Sequence, residues 1–330
     1  MVLLAGYGLA ESPVMAAWLD YPLNEGVGIV ASSSQIPAAP AIFYATNGTV
    51  MSNAWSAPGG GVSTISSDFS FDTTSASGMG TQHRGPHLRL PIGAMPLLIN
   101  FTITGWFRPS SGELDRAILI RWSKPGTNLS LIGLSGGPPP GARSRLRLLV
   151  STTPPRLHNL DVASNYESTF STPDQWAFFA VVVDGVSQPR RVTFVHGSMT
   201  STATVSLVTT FSTLLPVDLS DTTMTIGSGE LFQDPLKGRL DNIAVFTESL
   251  TLPQIEQVRL RALAPERVRL AAGQLRWPTL PGRIYQLESS GNLQQWDNLG
   301  LPAVGDGQDM TRPIIPAAGT NQFYRLRFDY

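Results

Sequence analysis

The sequence contains no cysteine. Disulfide scaffolds, thiolate metal sites and cysteine nucleophiles are excluded together. Charge is sparse, at 14% of residues, and balanced: Lys+Arg 23 against Asp+Glu 24 gives a formal net charge of -1. Proteins that hold nucleic acid by bulk electrostatics concentrate positive charge to displace counterions, so no nucleic-acid partner is expected. Lysine occurs only at Lys124 and Lys237, and arginine carries the remaining positive charge. No stretch approaches the ~20 consecutive apolar residues of a membrane-spanning helix, so the chain is not expected to span a bilayer. Helical patterning is scarce too. The best run is 251–264 (TLPQIEQVRLRALA), with Thr251 placed to cap, Gln254 three residues on, and Ile255, Val258 and Leu263 at helical spacing.

What remains is apolar and rich in turns. Hydrophobic residues make up 42%, with Gly 31 and Pro 26, a composition that fits a sizeable core cut into short segments. Residues 101–107 (FTITGWF) put Phe101, Ile103, Gly105 and Phe107 on one face of a strand, and Thr102, Thr104 and Trp106 on the other. Comparable runs cover 117–122, 129–134, 145–150, 176–183, 191–195 and 202–207, with turn-formers between them at 109–112 (PSSG), 136–141 (GGPPPG) and 184–185 (DG). Short strands punctuated in this way predict an antiparallel sandwich. His196-Gly197 follows one such strand and is expected to form a tight hairpin turn on the positive φ that glycine supplies. From residue 268 the pattern restarts, with VRLAAGQLRW, RIYQLESS, a turn at Gly291-Asn292 and a last run ending in QFYRLRF. The fold class is therefore all-β, with a large sandwich over 18–264 and a second, small β-sandwich over 265–330. Residues 1–17 (MVLLAGYGLAESPVMAA) read either as a first strand or leader, or as the remnant of a signal peptide.

Several pieces fall into a known order. Residues 18–28 (WLDYPLNEGVG) look like an opening strand and its turn, 69–72 (FSFD) like a following strand, and 101–109 (FTITGWFRP) like a central strand. Residues 175–185 (QWAFFAVVVDG) and 237–246 (KGRLDNIAVF), with 249–255 (SLTLPQI) behind them, complete the series. Together they resemble the concanavalin A-like, laminin-G-like jelly-roll domains of bacterial secreted proteins. Residues 275–326 (LRWP, PGRIYQLESS, Trp296, QFYRL) are similar to a small β-sandwich module that ends many exported proteins of planctomycete- and verrucomicrobium-type bacteria. The resemblance implies a secreted or cell-surface protein. Its expected role is non-catalytic recognition or adhesion, toward glycan or a surface protein, through loops at one rim. Competing readings are a structural subunit of an extracellular assembly and a polysaccharide-degrading enzyme.

Candidate chemistry is thin. Some relatives hold calcium at the sandwich rim with a carboxylate loop and an aspartate that Asp241 matches; the loop here reads Ala31-Ser32-Ser33-Ser34, without a carboxylate. Hard cations need several oxygen ligands, so Asp241 is either part of a weakened calcium site or a tie between a strand and a neighbouring loop. His83 and His87 have i, i+4 spacing, but Gly85-Pro86 between them forbids the helix a zinc pair would need, and both are expected on a surface loop. Glycoside cleavage needs two carboxylates across a cleft. Glu113 with Asp115, and Glu230 with Asp234, lie in turn-rich segments, and no G-x-S-x-G elbow is present. No catalytic residue is expected. Trp106 and Trp176 sit within strand patterns and should be core, whereas Tyr44 and Trp55 lie in the polar stretch 31–61, where an exposed ring could stack on a sugar. Tyr44 and Trp55 are the ligand-binding candidates.

Overall fold

The computed structural model describes residues 2–4, 17–32, 40–51, 54–63, 68–76, 84–91, 97–110, 117–124, 130–136, 145–151, 160–170, 172–212, 216–263, 269–271, 273–279, 284–305, 309–313 and 322–329. The chain divides into two compact units, Met15–Val62 with Ser67–Ala262, and Met1–Val14 and Ser63–Ser66 with Leu263–Tyr330. The reading of 1–17 as a leader or signal remnant falls mostly outside the described residues.

In chain order the strands begin with β1 (Val2–Leu4), β2 (Leu19–Tyr21), β3 (Val30–Ala31), β4 (Ala41–Tyr44), β5 (Phe71–Asp72) and β6 (His87–Pro91). The middle of the chain supplies β7 (Asn100–Pro109), β8 (Ile118–Ser123), β9 (Ser130–Gly136), β10 (Leu146–Val150) and β11 (Leu160–Ala163). Then come β12 (Ala177–Asp184), β13 (Arg190–Ser198), β14 (Thr204–Phe211), β15 (Thr223–Ile226), β16 (Gly238–Phe246) and the helix α1 (Leu252–Leu263). Strands β2 to β16 form two antiparallel sheets, one ordered β11-β10-β9-β8-β15-β6-β4-β3 and the other β14-β13-β12-β7-β16-β2 with β5 beside β16. This is an all-β jelly-roll sandwich, as the alternation in the sequence requires.

One apolar seam lies between the sheets. Phe43, Leu88, Leu90 and Trp122 from the first meet Phe101, Ile103, Phe107 and Phe179 from the second, all essentially fully buried. Gly105 faces the seam from the centre of β7 because a side chain does not fit there: a Cβ would lie 2.5 Å from Ile243 Cδ1 and 2.8 Å from Phe179 Cζ.

The far side of the β7 sheet is also covered. Trp106 and Phe178 pack there with ring centroids 5.2 Å apart, and Trp106 and Trp176 are buried as expected. Helix α1 starts with a capping box in which Gln254 Oε1 accepts from the Thr251 N–H and Oγ1, both at 2.8 Å. Its buried positions are Ile255, Arg259 and Leu263, while Val258 is half-buried. Arg259 is admitted because its guanidinium is satisfied, donating to both Glu256 oxygens at 2.7 and 2.8 Å and to the Ser198 carbonyl at 2.6 Å.

The same contact corrects the expected turn at His196-Gly197. Both residues lie inside β13, and the turn falls after Ser198, whose N–H donates to the Ser201 carbonyl. Gly197 lets the side chain of Arg259 lie close, for a Cβ there would sit 3.0 Å from Arg259 Cδ, a tight contact.

The second unit is built from β17 (Arg269–Ala271), β18 (Gln274–Pro278), β19 (Ile284–Ser290), β20 (Asp297–Asn298), β21 (Ala303–Val304), β22 (Asp309–Pro313) and β23 (Gln322–Asp329). They pair as β1-β23-β19-β20, with β21 on β19, and as β17-β18-β22. Leu275, Trp277, Tyr285, Leu287, Tyr324 and Leu326 form a separate apolar core.

Gly105→Ala tests the seam directly. Overpacking at a closed site costs about 1–3 kcal/mol, which urea denaturation should register as a lower midpoint with an unchanged slope.

Candidate functional site

Because β4, β6, β15 and β8 each send alternate residues into the seam, their other residues line the opposite face of the sheet. Cα register places Tyr44 beside His87, Ile42 beside Arg89, Arg89 beside Thr225, and Thr225 beside Arg121. The loop between β15 and β16 comes down on this face. It is pinned by backbone hydrogen bonds from Gly227 N to Leu119 O at 3.0 Å, Ile118 N to Asp234 O at 2.8 Å and Gly85 N to Phe232 O at 3.1 Å. Gly85 allows the approach, for a Cβ there would lie 2.3 Å from Pro235 Cβ.

The pinned loop delivers Glu230. Its Oε1 accepts from Arg89 Nη2 at 2.9 Å and its Oε2 from Ser123 Oγ at 3.4 Å, with the carboxylate buried and the Arg89 side chain 36% exposed. Arg121 lies deeper. Burial pulls its guanidinium below the ordinary value, while Asp234 and Glu230 draw it back up. Further along the sheet, Arg147 makes a two-pronged pair with Asp161 on β11.

Aromatic rings border this polar network. Tyr44 is partly exposed, 5.7 Å from the His87 ring, and Arg89 Cζ lies 6.0 Å from the Tyr44 ring centroid. His87 stacks on Phe232 at 4.8 Å. It is not on the surface as expected, being 1% exposed in the first position of β6. The strand begins straight after Gly85-Pro86, so the residue that follows is carried under the loop. Burial, helped by the neighbouring Arg89 charge, lowers its pKa to about 3, and Ser228 Oγ lies 3.4 Å from its Nδ1. His83 lies outside the described residues, as do Glu113 and Asp115. Leu231 and Val50 are exposed at the same end of the sheet.

The three site residues expected from sequence do not come together. Tyr44 lies on the polar face. Trp55 is 6% exposed and belongs to the seam, packed edge-on against Phe43 at 4.9 Å with its Nε1 donating to Gly28 O at 3.2 Å. The exposure expected for Trp55 is thus corrected: a polar connection can carry a ring that pins it to the core. Asp241 is fully buried in β16 opposite Trp106, on the far side of the other sheet, and its Oδ2 accepts from the Val62 N–H at 2.8 Å. That contact ties strand to loop. Among the described residues no group of three or more His, Asp or Glu side chains could hold a metal ion. No sequence pattern groups Arg89, Arg121 and Glu230; the alternation His-Leu-Arg-Leu over 87–90 is the local signal for Arg89.

The family model of the concanavalin A-like lectin/glucanases superfamily matches residues 82–256, more than half of the chain. The chain belongs to this superfamily. Among solved structures it is similar to domain 4 of AbnA, a GH43 extracellular arabinanase from Geobacillus stearothermophilus, in complex with arabinotriose. That match has 14% identity and a TM-score of 0.50, and covers 73% of this chain and 97% of that one. It is also similar to the binding domain of botulinum neurotoxin serotype G, with 10% identity and a TM-score of 0.47, covering 94% of this chain and 64% of that one. At this identity the likeness to the arabinanase domain shows the fold alone. No curated protein matches the chain in sequence. Among the described residues no helix is long and apolar enough to cross a membrane.

His87 makes stability depend on pH. The unfolded chain takes up a proton near pH 6.5 that the folded protein refuses until about pH 3, so stability falls as pH drops through that window. The slope is about 1.4 kcal/mol per pH unit. His87→Phe should remove this slope, so that the variant gains on the parent as acid is added. Denaturation midpoints compared from about pH 6.5 downward measure it, and a gap independent of pH contradicts the assignment.

Proposed function

We propose that this protein binds glycans without cleaving them, on the outward face of the β8–β15–β6–β4 sheet at the end marked by Tyr44. The observation that carries the reading is the partly exposed Tyr44 ring beside the Arg89–Glu230 pair. A ring with an apolar body and a polar tip suits the half-wet face of a sugar. A fixed guanidinium–carboxylate pair offers donors and acceptors at set positions for neighbouring hydroxyls. The arginines Arg89, Arg121 and Arg147 are offset on this face by Glu230, Asp234 and Asp161, a balance that favours a neutral, hydroxyl-rich ligand over a polyanion. Both oxygens of Glu230 are already engaged, which supports binding rather than proton transfer to a glycosidic oxygen.

The superfamily description, lectins and glucanases, ties the fold to glycans, while function itself rests on the site. The arabinotriose held in the arabinanase structure belongs to the same chemical class. The similarity of residues 275–326 to a module of exported bacterial proteins supports a secreted or cell-surface setting.

A glycan array tests the proposal, with the parent protein, Tyr44→Ala and Arg89→Ala each probed with and without a calcium chelator. The parent should retain neutral oligosaccharides in both conditions. Each variant should lose at least about tenfold in affinity, on the order of 1.4 kcal/mol. A parent that retains no glycan, or a Tyr44→Ala protein that binds like the parent, overturns the reading. Loss on chelation instead restores Asp241 as a cation ligand.

A further inference from the structure

Strand β14 ends the path of the seven-stranded sheet, and no described strand pairs with its outer edge. Exposed edges invite pairing with another chain, and folded proteins blunt them with short strands, charge, proline or bulges. The other edges of the sandwich are short: β2 has three residues, β3 two, and β11 four, with Asp161 of β11 paired to Arg147. β14 has eight residues, and no charged residue occurs between His196 and Asp218.

Its first half is guarded by a bulge, and just past its other end Arg190 Nη1 of β13 donates to the Ser212 carbonyl at 2.8 Å. Val205 pairs with Val195 and Leu207 with Phe194, so Ser206 is an extra, bulged residue, and its carbonyl is capped by Asn165 Nδ2 at 2.6 Å. From Leu207 to Phe211 the register with β13 is regular. Leu207 and Phe211 are partly buried against the seam, while Val208 is 50% exposed on the other face, with Thr210 exposed beside it.

We propose that Leu207–Phe211 is a self-association edge, pairing antiparallel with the same residues of a second copy about a two-fold axis at Thr209. The segment is complementary to itself. Pairing about Thr209 sets Leu207 against the partner's Phe211 on the seam side, and Val208 against the partner's Thr210 on the other face. The first pair extends each apolar seam across the junction, and the second joins two β-branched side chains. Across the axis no charge meets a like charge. The two β-sheets then run on as one.

Light scattering and sedimentation of the full chain over a range of concentrations test this. The parent should be a dimer that dissociates on dilution. V208K/T210K places lysine opposite lysine twice across the axis and should weaken the dimer at least about tenfold. V208K/T210E occupies the same positions but places lysine opposite glutamate, and should restore the dimer in a salt-sensitive form. This second variant separates lost pairing from lost folding. A parent that stays monomeric at its highest soluble concentration overturns the proposal, as does a V208K/T210K protein that stays dimeric or a V208K/T210E protein that stays monomeric.

Discussion

A layer of apolar side chains between two antiparallel sheets decides where every other residue of the large unit goes. Strand residues alternate between faces, so committing Phe43, Leu88, Leu90, Ile120, Trp122, Met224 and Ile226 to the seam commits Tyr44, His87, Arg89, Arg121, Ser123 and Thr225 to the opposite face. A slip of one residue in β6 would push Arg89 into the seam and Leu88 out of it. Burying an unpaired guanidinium costs several kcal/mol, so register and polar face are selected together. The candidate site is the other side of the core.

The two sheets do not treat their outer faces alike. Outside β7 and β12, Trp106 and Phe178 are as buried as any seam residue, with Arg259 of the helix against Gly197. Thr102 is drawn into the same cover: its Oγ1 donates to Glu248 O at 2.7 Å and accepts from Leu250 N at 2.9 Å. On that side the polar groups are spent on holding the chain's own loops, and Asp241 is one of them. The β6–β8 face keeps a partly exposed arginine and tyrosine instead. The helix occupies part of the other surface, where Arg259 packs at Gly197 and donates to the Ser198 carbonyl.

The alternation over 101–107 and the turn-formers around it made the sandwich legible, because period-two patterning is local and the sheets follow it. Helix α1 was legible at its start, where Thr251 and Gln254 lie three residues apart, and less so on its buried face. Arg259 there packs against a glycine 62 positions earlier, Gly197. Tyr44 could be marked as a candidate, but its neighbour Glu230 is 141 residues from Arg89 and sits in a loop with no pattern of its own. Trp55 misled for a related reason. Polar sequence around a tryptophan reports the character of the connection, not whether the ring folds back over Phe43.

The open edge and the polar face belong to different sheets, and that separation has a consequence for recognition. β14 belongs to the sheet that does not carry the Tyr44–Arg89 surface, so pairing through its edge consumes none of that surface in either copy. A dimer formed this way carries two glycan-facing surfaces fixed to one continuous sheet. Single sugar contacts through one ring and one charged pair are weak, because hydroxyl groups surrender hydrogen bonds with water for each one they make with the protein. Joining two such surfaces rigidly raises avidity on a repetitive polymer by on the order of a hundredfold without any new contact.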